Sequence, residues 1–245
     1  MKKGLIGALV AFSFPLFAQN IELGVTVGAT VYRGDIEVDG SNAFQQLRPA
    51  GGIFGRYHVN SNFAVRGQLL IGSLTADEKQ FPNTANHQLR GFNFAASIVE
   101  LSVLPEWRPF SVGNLEFYLF GGAAATYFNP TPNFNEPNPS DSYKAGIAAD
   151  KSASFSHLTL AIPVGVGAQY FFTETFAVGG ELGGRLTPTD YLDGISEAAN
   201  PKSKDYYFYG GITVSKFFGS QSRQARGGSW GGGSKRGGVS CPTFR

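Results

Sequence analysis

The chain has 245 residues, 42% of them hydrophobic and only 16% charged, with 33 glycines, 14% aromatics, one Met and one Cys. That balance excludes a helical protein built on Ala, Leu, Glu and Lys, and a single Cys excludes an internal disulfide framework or a Cys-based zinc site. The net charge of +2 conceals an asymmetry: the first 18 residues hold two lysines, and the last 27 hold five basic and no acidic residues. This leaves 13 of the 20 basic residues to face all 18 acidic ones in the body.

Residues 1–18 open with Lys2 and Lys3, continue in an apolar run from Leu5 to Phe17, and end at Ala18 before a polar Gln19. A basic start, a short apolar middle and a small residue describe a secretory signal peptide, with cleavage expected after Ala18. No Cys follows the apolar run, so a lipid anchor is not expected there.

From residue 19 to 218 the sequence alternates with period two, the mark of half-exposed strands. Ile21, Leu23, Val25, Val27, Ala29 and Val31 make one apolar face; Phe63, Val65, Gly67, Leu69 and Ile71 another. Leu158, Leu160, Ile162, Val164 and Val166 make a third, and Phe176, Val178, Gly180 and Leu182 a fourth. The opposite faces carry small, polar or charged residues. Eight such segments are expected, at about 20–32, 48–59, 63–75, 91–108, 115–128, 155–172, 176–187 and 205–218. Each is long enough to cross a bilayer when tilted. No run after residue 20 has 18 uninterrupted apolar residues, so a spanning helix is not expected.

Between the segments, connections run long (33–47, 76–90, 129–154, 188–204) and short (60–62, 109–114, 173–175) in strict alternation. Short turns at one end and long loops at the other are the pattern of an outer-membrane barrel. The expected fold is therefore all-β, an eight-stranded antiparallel transmembrane β-barrel. Its even strand number puts both termini in the periplasm. Aromatics near strand ends, namely Phe63, Trp107, Phe110, Tyr127, Phe128, Phe171, Phe172, Phe176, Phe217 and Phe218, suit interfacial girdles. Pro105 and Pro163 fall inside strands of a sheet without edges, so each is expected at a bulge or beyond the paired region. A phase change near Ala96 to Ile98 suggests another.

Glu22, Arg56, Arg66, Glu100, Glu106, Arg108, Glu116, Glu181 and Arg185 are expected to point inward. Eight strands enclose a space that side chains just fill, so mixed charges read as a salt-bridged plug. The sharper alternatives are a selective pore or paired-carboxylate catalysis. His58, His87 and His157 occur singly, without metal-ligand spacing. Ser156 and His157 are adjacent, and adjacent strand residues point to opposite faces, which argues against a catalytic dyad. No metal or cofactor is expected.

Residues 219–245 are rich in Gly, Ser and Arg, without hydrophobic periodicity, and read as a flexible basic tail. Arg223, Arg226, Lys235 and Arg236 suit an acidic partner or anionic headgroups. The two Arg-Gly-Gly triplets also occur in RNA-binding segments, which export makes unsuited here. Cys241 is an odd thiol in an exported chain, consistent with an intermolecular disulfide to a periplasmic protein.

Several segments carry a family resemblance in matching order: Glu22-Leu23-Gly24-Val25 with Tyr32-Arg33-Gly34-Asp35-Ile36, Arg56-Tyr57-His58-Val59-Asn60, and Glu100-Leu101-Ser102. They continue through Phe120-Gly121-Gly122 with Phe128-Asn129-Pro130, Ile162-Pro163-Val164-Gly165-Val166-Gly167, and Thr189-Asp190-Tyr191-Leu192-Asp193-Gly194-Ile195-Ser196. Over residues 20–218 the chain resembles the PorG-like outer-membrane barrels of the type IX secretion system, which also supports gliding. The stretch Thr189, Asp190, Tyr191, Leu192 and Asp193 in the last outer loop is the most specific piece. The resemblance implies a non-enzymatic barrel that anchors a periplasmic ring of PorK-like and PorN-like proteins. The rival readings are a general adhesion or envelope-integrity barrel acting through its outer loops, a lipid-modifying enzyme and a small pore.

Overall fold

In the computed structural model the described residues are 20–34, 36, 44–80, 91–134 and 141–218. The expected signal peptide, the tail with Arg223, Arg226, Lys235, Arg236 and Cys241, and His87 all lie outside them.

Ten strands form one antiparallel sheet: β1 (Ile21–Arg33), β2 (Arg48–His58), β3 (Phe63–Asp77), β4 (Asn93–Trp107), β5 (Ser111–Val112), β6 (Leu115–Gly121), β7 (Ala123–Asn133), β8 (Leu158–Phe171), β9 (Phe176–Leu186) and β10 (Tyr206–Phe218). Strands β6 and β7 are two parts of one stave, sharing a single register against β4 on one side and β8 on the other. β5 is a two-residue flap against β6. Eight staves remain, and the ring closes where β1 meets β10 over thirteen consecutive pairs from Ile21↔Phe218 to Arg33↔Tyr206. The fold is an eight-staved antiparallel barrel. Turns at 59–62, 108–114 and 172–175 gather at one end together with Ile21 and Phe218, and the long connections gather at the other.

Closure of the ring leaves no outermost stave, which is the requirement for strands in lipid. The outward face supplies the complementary oily surface: Val27, Ile53, Leu101, Leu160, Leu182 and Ile212 are all at least 60% exposed. No described helix is long and apolar enough to cross a membrane. Phe63, Trp107, Phe110, Phe172, Phe176 and Phe218 are exposed at the short-turn end. Lys216 joins them, its Nζ held over the rings of Phe176 and Phe218 at 5.4 and 5.2 Å. Phe128, Phe171 and Phe217, expected in the girdles, are instead buried, because each neighbours an outward residue on its strand and so points to the opposite face.

Neither proline produces a bulge. The register runs unbroken through Val65↔Pro105 and Pro163↔Arg185. The ladder lapses only on the side facing the β6–β7 stave, at Gly121 to Ala123, where both prolines converge. Gly122 donates to the Pro163 carbonyl at 3.0 Å, and a Cβ there would lie 2.1 Å from the Val103 carbonyl oxygen. A residue without a side chain is what lets three backbones meet at this point.

The expected bulge at Ala96–Ile98 is likewise absent, since β4 alternates buried and exposed along its full length. What changes is the solvent. Phe94, Ala96 and Ile98 point inward and are buried, while Ala95 and Ser97 point outward. Toward the long-loop end the staves leave the oily belt, and polarity inverts while geometry does not. The β6–β7 stave also runs to Asn133, beyond the expected 128, despite Pro130 and Pro132. Beyond Tyr127 it has no ladder to β8, so both prolines sit on a free edge.

Inside the long-loop end, Tyr32, Leu74, Phe92, Phe94, Ile98, Phe128 and Tyr207 form an apolar core with Phe134, Ile147, Leu192, Ile195 and Ala198 from the loops above. Helix α1 (Asp141–Ser152), not anticipated from the sequence, supplies Ile147.

Candidate functional site

The nine charged residues expected inside the barrel are all buried there. Seven of them form one network around Glu106, and Glu100 pairs separately with Arg185, because an unpaired charge in such a space would be very costly. Glu106 is its hub, facing Arg56 Nε at 2.8 Å, Arg66 Nε at 2.9 Å and Arg108 Nη2 at 3.1 Å. Arg56 continues to Glu22 at 2.5 Å, and His58 Nε2 lies 2.8 Å from the other Glu22 oxygen. Arg66 reaches Glu181 at 2.5 Å, and Arg108 reaches Glu116 at 2.8 Å. Arg185 faces Glu100 at 3.4 Å, and the Tyr207 hydroxyl donates to Glu100 at 2.6 Å.

Sequence reasoning missed the neutral members. Gln169 accepts from Arg56 at 3.1 Å and donates to Glu116 at 3.2 Å. Tyr118 donates to Glu181 at 3.3 Å, and its ring lies under the Arg56 guanidinium at 5.3 Å. Their inward parity was readable, but an inward Gln or Tyr carries no charge to flag it. Four carboxylates, three guanidiniums and His58 thus gather in the short-turn half of the lumen, the Glu100–Arg185 pair meets the apolar core at Tyr207, and that core occupies the other half. Glu106 is engaged through both oxygens by three arginines, and Glu100 through one oxygen by Arg185 and Tyr207.

The loop stretch Thr189 to Asp193 builds the lid of that apolar core. The buried Tyr32 hydroxyl lies 2.7 Å from an Asp193 oxygen and 2.5 Å from an Asp205 oxygen, so its one proton is shared between the two carboxylates. Asp205 also accepts from the Leu192 amide, and Asp193 from the Ile195 amide. Asp190 accepts from Ser196 Oγ at 2.5 Å, Thr189 Oγ1 accepts from the Tyr191 amide, and Leu192 is fully buried in the core. The Tyr191 ring stacks on Phe155 at 4.7 Å, and burial raises its phenol above the ordinary range. Asp150, near the end of α1, accepts the amides of Ser196, Glu197 and Ala198 at 2.9 to 3.2 Å. At Gly146 the same helix approaches so closely that a Cβ would lie 2.5 Å from the Glu197 carbonyl oxygen.

His157 Nδ1 contacts the Phe128 carbonyl oxygen at 3.0 Å, and Ser156 Oγ donates to the Leu158 carbonyl. The two are engaged with backbone and not with each other. Among the described residues there is no group of three or more His, Cys, Asp or Glu placed to hold a metal ion.

Three solved barrels are similar in outline. Neisserial surface protein A is 10% identical, with 81% of this chain and 97% of that one covered and a TM-score of 0.48. A major outer membrane protein from Thermus thermophilus is 13% identical, with 80% and 99% covered and a TM-score of 0.45. The attachment invasion locus protein Ail of Yersinia pestis is 11% identical, with 80% and 99% covered and a TM-score of 0.42. No curated protein matches the sequence. Residues 4–224, nearly the whole chain, match the family described as "Domain of unknown function (DUF6089)", and the protein is a member of that family.

Proposed function

We propose that this barrel is a non-enzymatic anchor of the outer membrane that holds a periplasmic assembly. The long loops face outward and both termini face the periplasm. The observation that carries this reading is the occupied interior: among the described residues, buried charges fill one part of the lumen and an apolar core fills another. Function then falls to the two ends. The short-turn end is where β10 stops at Phe218, and the 27 residues that follow carry five positive charges and no negative one.

By the resemblance to PorG-like barrels, the assembly held is the ring of the type IX secretion machinery, built from PorK-like and PorN-like proteins. Arg223, Arg226, Lys235 and Arg236 would attract an acidic face of such a ring, and Cys241 would lock it by a disulfide. Deleting residues 219–245 tests this. The barrel should still reach the outer membrane and keep its heat-modifiable mobility, while ring proteins no longer copurify and secretion fails. Unchanged copurification would sink the anchor reading. The folded lid over the apolar core favours a second reading, a general barrel acting through its outer loops. That barrel would work unchanged without the tail.

A further inference from the structure

Above the oily belt, the outer wall of β3, β4 and β7 carries side chains in rows set by the register. Asp77, Asn93 and Asn133 stand side by side, as do Thr75, Ala95 and Thr131 one step lower. The next row down is Ser73, Ser97 and Asn129; below it come Ile71, Val99 and Tyr127, the first row of the belt. Steps on one face of a strand are about 6.6 Å apart, twice the rise per residue. Three polar rows therefore rise directly from the lipid-facing surface.

The segment ahead of β2 folds against this wall and encloses a cavity of about 440 Å³, lined on that side by Gln46 and Arg48 and on the other by the two upper rows. Gln46 is 1% exposed, and neither its amide nitrogen nor its amide oxygen has a hydrogen-bond partner. A buried amide in that condition is costly, and Gln68, inside the barrel, is the other side-chain amide left in it among the described residues. Gln46 is one of the residues that line this polar cavity.

The geometry points to a saccharide site at the long-loop end of the barrel. The lining has one guanidinium and one carboxylate, so it selects neither anions nor cations. Its other polar groups are amides and hydroxyls, which donate and accept at once. Vicinal sugar hydroxyls make the same dual demand, and the methyl of Ala95, flush between polar neighbours, offers an apolar floor for the face of a pyranose ring. Continuity with the apolar rows means that the sugar can belong to a membrane glycolipid as well as to a free glycan. The site is independent of the secretion reading.

The test uses the full-length barrel in detergent, with binding read by native mass spectrometry. The probes are short-chain lipopolysaccharide, the core oligosaccharide released from it, and phosphatidylglycerol. Binding of lipopolysaccharide alone identifies a glycolipid; binding of the oligosaccharide as well identifies recognition of the sugar itself. In either case Gln46→Leu and Asn93→Ala should each weaken affinity at least tenfold, while Ile212→Ala, on the distant belt, should not. Heat-modifiable mobility verifies that each variant is folded. The inference is overturned if neither sugar probe binds, if phosphatidylglycerol binds as well as they do, or if folded Gln46→Leu and Asn93→Ala barrels bind unchanged.

Discussion

Glu106 is the residue on which the short-turn half of the barrel turns. Three guanidiniums approach its two oxygens, and every group involved is buried. Glu106→Gln keeps the shape and removes the charge, leaving Arg56, Arg66 and Arg108 with fewer counter-charges where water does not reach them. Breaking a buried pair in this way costs about 3–5 kcal/mol. Urea unfolding of the barrel in detergent should show a midpoint lowered accordingly, and Glu22→Gln, which abandons only Arg56 and His58, should lower it less. An unchanged midpoint for Glu106→Gln would mean that the network contributes no stability. At this scale the sequence was highly legible, because a charged residue at the wrong parity for lipid has only the lumen to occupy. Gln169, Tyr118 and Asp150 were not legible, since their roles depend on which strand or loop lies across from them.

Elements were legible where one solvent governs a strand from end to end, and misread where the solvent changes. β4 reads as out of phase at Ala96 only if lipid is assumed to surround it throughout. Its upper third lies outside the belt, where the oily side belongs within. Pro105 and Pro163 look like isolated defects in sequence, yet in register they face adjacent glycines of one stave, Gly121 and Gly122. The lid over the apolar core makes a prediction at this scale. Asp150 ties α1 to the loop at 196–198 through three amides, so Asp150→Ala should release both. Hydrogen exchange at Ser196, Glu197 and Ala198 should rise at least tenfold, and protease should cut within 141–157. The unfolding midpoint of the staves should stay put, because their ladders do not involve these groups. Protection unchanged at all three amides would place the hold of the lid elsewhere.

For the whole molecule the belt is the governing feature. Leu101 lies in it, exposed among Leu69 and Ala125, whereas Asn129 stands two rows higher on the polar wall. Arginine on the lipid face near the bilayer centre costs roughly 2–4 kcal/mol and near the interface about 0–1. Leu101→Arg should therefore destabilise the folded barrel in lipid vesicles by about that larger amount, and Asn129→Arg by little. Equal effects would mean that the belt has been drawn at the wrong height.

The closure of the ring has a mechanical consequence. The last stave is zipped to the first along thirteen pairs and to β9 along eleven more, and the tail departs from its end. A pull delivered through that tail runs parallel to the stave. It loads those rungs together in shear instead of peeling them one after another, so a partner held by the tail would pull on both seams at once.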